Sequence, residues 1–61
     1  MENNIIREEI IELLDVIIEQ SEVICQRKGR IPQIEIDIVL SNIREMYEKY
    51  KDLERESISL S

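Results

Sequence analysis

The sequence predicts an all-α fold: an antiparallel helical hairpin of two helices that dimerises into a four-helix bundle. Three observations carry this. The only glycine and the only proline of the chain stand three positions apart, at Gly29 and Pro32. On either side lies a long segment whose apolar residues recur at steps of three and four, with no internal breaker. Finally, 61 residues divided into two helices share only one mutual interface. A chain of about 60 residues is already marginal as a lone domain, and such scaffolds need a disulfide, a metal or a partner.

The first helix is expected over about residues 4–28. Asn3 or Asn4 can cap it by accepting a bond from an orphan backbone N–H. Glu8 and Glu9 follow early, where the helix dipole favours negative charge. Ile6, Ile10, Leu13, Leu14, Ile17, Ser21, Ile24 and Lys28 step by three or four along one mainly apolar line, and Ile11, Ile18 and Cys25 widen it. Placed about 100° apart, these residues span more of the wheel than one neighbouring helix covers. Ile5, Val16 and Val23 add a weaker line on the far side. The excess width is the main reason to expect two or more neighbours for this helix. Arg27 and Lys28 fall in the expected last turn, where cations are favoured. Gly29 is suited to the left-handed conformation just past a helix end.

The turn is expected at residues 29–31 and the second helix at about 32–56. Ile31 precedes a proline and is biased towards extended backbone, and Pro32 suits the first helical position. Residues 34–38 alternate strictly between isoleucine and acid, which is a strand pattern. No second strand exists for them to pair with, so the segment is read as helix. The second helix carries a coiled-coil line through Ile36, Val39, Ile43, Met46, Tyr50, Leu53 and Ser57, flanked by Leu40 and Tyr47. Glu45 and Lys49 have the spacing of an i,i+4 ion pair. Residues 57–61 read as a frayed tail. Equal helices of about 24 residues and a short turn favour an antiparallel pair. The architecture expected resembles that of ROP-type hairpin dimers, in geometry alone and without a shared sequence motif.

Composition narrows the function. The net charge is −6, which argues against nucleic acid as a partner and against anionic membrane surfaces. No apolar run approaches the ~20 residues of a membrane span. Met1-Glu2-Asn3-Asn4 lacks the basic start of a secretory signal. With an unpaired Cys25 this gives a cytoplasmic expectation. Histidine is absent, which removes the side chain best placed for acid–base chemistry at neutral pH. One cysteine cannot build a zinc site. Cys25 is expected as a small buried hydrophobe, and Tyr47 and Tyr50 as half-buried packing residues with wet hydroxyls. No catalytic residue, cofactor, metal site or small-molecule substrate is expected.

Two surfaces remain as candidates. The self-association interface is expected to use Ile10, Leu14, Ile17 and Ile24 of the first helix with Ile36, Val39, Ile43, Met46, Tyr50 and Leu53 of the second. Its partner would be a second copy, giving a homodimer, or another helical protein. The other surface is an acidic ridge, Glu8, Glu12, Asp15, Glu19 and Glu22, on one helix face with no basic residue between its ends. As a solvated outer face it needs no function. As a docking surface it would make the chain an acidic regulator, antitoxin-like or nucleic-acid-mimicking, bound to a basic site on a partner protein. Carboxylates on a straight helix cannot wrap a hard cation.

Overall fold

The computed structural model describes residues 4–60. Two helices, α1 (Asn4–Gln26) and α2 (Gln33–Leu60), pack against each other as a hairpin. The molecule is a rod of 49 × 15 × 13 Å with a radius of gyration of 14.7 Å. A compact chain of this length would have about 10.5 Å. The strand-like alternation at residues 34–38 lies within α2, as the lack of a pairing strand requires.

The turn forms where the glycine and proline place it, with its boundaries tightened. α1 ends at Gln26, so Arg27 and Lys28 lie beyond the last turn rather than in it. The Arg27 amide donates to the Ile24 carbonyl at 3.2 Å, a tightened closing bond. Gly29 has φ +89°, and a side chain there would meet no atom within 4 Å. Glycine is therefore needed for its backbone angle and not for space. The Pro32 carbonyl accepts from the Glu35 and Ile36 amides at 3.1 and 3.4 Å. Pro32 thus sits one position earlier than expected, at the cap of α2, where its missing N–H costs nothing. Across the turn Arg27 Nη2 donates to Glu35 Oε1 at 2.6 Å. This ion pair engages the one acid in the first turn of α2.

At the other end α2 does not stop near residue 56 but continues to Leu60. Helix formation adds one backbone bond per residue once the helix exists, so the loss of the apolar line does not end it. The expected cap at Asn3 lies outside the described residues, and α1 begins at Asn4.

The core is thin. Ile10, 4% exposed, is the only buried hydrophobe among the described residues. Ile6, Leu13, Ile17 and Ile24 of α1 are half-buried against α2, which offers Ile36, Val39, Met46 and Leu53. Between these apolar residues of α2 the inner line continues through Asn42, Lys49 and Glu56, all half-buried. The expected line through Ile43, Tyr50 and Ser57 is therefore corrected: these three are exposed. The hairpin seam shares Val39, Met46 and Leu53 with the expected line and turns away at every other step.

Candidate functional site

The two edges of the hairpin differ in chemistry. On one, Asn42 Nδ2 donates to Gln20 Oε1 at 2.9 Å, a part-buried bond between the helices. Further along the same edge Lys49 Nζ pairs with Glu9 Oε2 at 3.4 Å. Lys49 was expected to pair with Glu45 within α2; it reaches across to α1 instead. Nearer the turn this edge holds a groove of about 270 Å³ lined by Val16, Gln20, Val23, Glu35 and Ile38 among others. Oε2 of Glu35 is buried there without a hydrogen-bond partner.

Among the described residues the opposite edge has no such side-chain bond between the helices. With about 100° between successive residues, Leu14 and Ile18 leave the inner line of Ile10 and Ile17 on the side away from Gln20 and Glu9. In α2, Leu40, Ile43, Tyr47 and Tyr50 leave the line of Val39 and Met46 on the side away from Asn42 and Lys49. Because Gln20 meets Asn42 and Glu9 meets Lys49, the remaining sides of both helices also fall on one edge. They form a continuous apolar face. Leu14 is 38% exposed, Ile18 47%, Ile43 46% and Tyr50 51%. Ile11, Leu40 and Tyr47 extend the face and are exposed more fully. Lys51 lies 5.5 Å from the Tyr47 ring centroid, a cation–π contact at its border.

The expected interface residues thus divide into two sets. Ile10, Ile17, Ile24, Ile36, Val39, Met46 and Leu53 belong to the packing within the hairpin, buried or half-buried. Leu14, Ile43 and Tyr50 stand on the exposed apolar face. Cys25 was expected to be buried and is exposed, on the same side of α1 as Ile18. Tyr47 and Tyr50 are likewise more exposed than half-buried packing residues. Leu14 and Cys25 are uncovered because the apolar stripe of α1 is wider than α2 covers, and Ile43, Tyr47 and Tyr50 because they lie on the side of α2 turned away from its contact with α1.

Glu8, Glu12, Asp15, Glu19 and Glu22 are all exposed, as a shared outer face of α1 requires. None has an ion-pair or hydrogen-bond partner among the described residues. No group of acids or cysteine able to hold a metal occurs among the described residues. Neither helix is long and apolar enough to cross a membrane. The functional geometry missed at the sequence level is the Gln20–Asn42 and Glu9–Lys49 edge. Its signal was a pair of polar residues bordering each apolar line, at similar distances from the turn.

No protein-family model matches this chain, and no curated protein or solved structure shows significant similarity to it.

Proposed function

We propose that this chain is a non-enzymatic protein-interaction module whose first partner is a second copy of itself, giving a homodimeric four-helix bundle. The observation that carries the reading is the apolar face left open by a hairpin whose core, among the described residues, contains one buried residue. Exposed contiguous apolar patches of this kind mark interfaces. The absence of histidine and the lone cysteine support a structural rather than a chemical role, in the reducing conditions of the cytoplasm. Sedimentation equilibrium from micromolar to millimolar chain tests it. The expected mass is twice 7.3 kDa, falling towards 7.3 kDa only at high dilution. A folded monomer throughout that range would overturn it.

The unpartnered ridge from Glu8 to Glu22 supports a second reading, an acidic regulator held in a basic site of a partner protein. The middle of the ridge, Glu12 to Glu19, lies on the outer side of α1 away from the apolar face, so this role could be added to self-association. Binding to an immobilised basic protein that survives the double change Asp15→Lys and Glu19→Lys would remove its support.

A further inference from the structure

Resting on self-association as proposed above, we infer which face the two copies share and how they are oriented: the Ile18/Ile43 face, with the two turns at opposite ends of the bundle. The first argument is area. The chain exposes 5202 Å², whereas a folded monomer of 7.3 kDa is expected to expose about 4,200 Å². The surplus, about 1,000 Å² per chain, is close to the ~800 Å² each partner contributes to a specific interface. The other edge cannot be covered without stripping water from the Glu9–Lys49 pair and from the outer side of the Gln20–Asn42 bond.

The second argument is self-complementarity. The Gln20–Asn42 bond puts Ile18 and Ile43 at nearly the same height along the rod. A two-fold axis through that height, lying across the helices, sets each α1 against its copy and each α2 against its copy. Ile11 and Cys25 are each seven residues from Ile18, so Ile11 meets Cys25 of the other copy. Ile36, half-buried within the hairpin but on the Ile43 side of α2, and Tyr50 are each seven from Ile43 and come to the same height in the same way. Apolar residues thus oppose apolar residues or Cys25 at the axis and one heptad to either side of it, while Leu14 comes to the height of Ser21 and Glu22.

The third argument is charge, and it selects the orientation. Lys28 and Arg30 at the turn have no ion-pair partner among the described residues; at the open end Glu8, Glu12 and Glu54 are likewise unpaired and outnumber the unpaired Arg7, so that end is acidic on balance. Lys28 and Glu8 are each ten residues from Ile18, so the axis brings Lys28 to the height of Glu8 in the other copy. Glu54 likewise comes to the height of the turn that carries Arg30. The alternative two-fold axis, along the rod, would set basic turn on basic turn and acidic end on acidic end.

Single-cysteine crosslinking in the Cys25→Ala chain tests this. Ile18→Cys and Ile43→Cys should each oxidise to a covalent dimer, because each faces its own copy. Val16→Cys and Ile38→Cys, on the other edge, should remain uncrosslinked under the same oxidant. Crosslinking through position 16 or 38 instead would overturn the face while leaving self-association intact. Crosslinking only when Ile18→Cys and Ile43→Cys chains are mixed would overturn the orientation. In the unmodified chain, Lys28→Glu should raise the dimer dissociation constant several-fold at low salt, as two exposed pairs are lost. Adding Glu8→Lys should restore it, and failure of that rescue would also overturn the orientation.

Discussion

Ile38 and Ile43 are the same residue type, five positions apart on α2, with 47% and 46% of their surface exposed. Their own burial does not distinguish them. The difference lies in the edge each belongs to. Ile38 borders a groove beside Gln20 and Glu35, on the edge that the Gln20–Asn42 bond and the Glu9–Lys49 pair hold closed. Ile43 belongs to a face made by both helices, with no polar side-chain bond across it among the described residues. A small hairpin thus has a finished edge, where polar groups are satisfied within the chain, and an unfinished one, where apolar groups are not. Fractional exposure alone would treat the two isoleucines alike.

That contrast can be broken or sharpened by substitution. The largest effect is expected beneath both edges. Ile10→Asp places a carboxylate at the one site that is buried among the described residues, where an unpaired charge costs several kcal/mol. The expected outcome is loss of the helical circular-dichroism signal at any protein concentration. Next comes the matched pair Ile43→Asp and Ile38→Asp. The first should give a chain of monomer mass with a shallow or absent thermal transition, the second a dimer close to the parent in Tm. Equal behaviour of the two would erase the distinction between the edges. Asn42→Ala should cost about 1–2 kcal/mol in denaturant unfolding, since it leaves the part-buried Gln20 carbonyl without its donor. Gly29→Ala should cost about 1 kcal/mol, from the left-handed φ alone. Smallest is Lys49→Gln. Its partner Glu9 is half exposed, so the loss should stay under about 1 kcal/mol and shrink with added salt.

The hairpin itself was legible because its punctuation is local. Gly29 and Pro32 need particular backbone angles, and those needs do not depend on what the rest of the chain does. The width of the apolar stripe on α1 was legible too: packing against the single neighbour α2 leaves Leu14 and Ile18 exposed. The seam of α2 was not. Periodicity selects the most apolar line, which runs through Ile43 and Tyr50. The line facing α1 runs through Asn42 and Lys49, about 100° away. Both lines share Val39, Met46 and Leu53, so a one-dimensional pattern cannot decide which alternates with them. The choice is made by polar groups on α1: Gln20 and Glu9 provide partners for Asn42 and Lys49, and nothing on α1 requires Ile43. The exposure of Cys25 follows from the same point, since a residue at the margin of a stripe is buried only when the second neighbour is present.

The antiparallel turn also fixes the order in which the rod can assemble. The Arg27–Glu35 pair joins residues 8 apart in sequence, and the Gln20–Asn42 bond joins residues 22 apart. Closing the longer loop from an open chain costs about 0.9 kcal/mol more, but once the turn has formed, each new contact closes only a few additional residues. The helices can therefore zip from Gly29 towards the termini, with little search. Amide exchange should accordingly be slowest around Ile24 and Val39 and speed up towards Ile6 and Leu53, so that the last contacts made are the first to open.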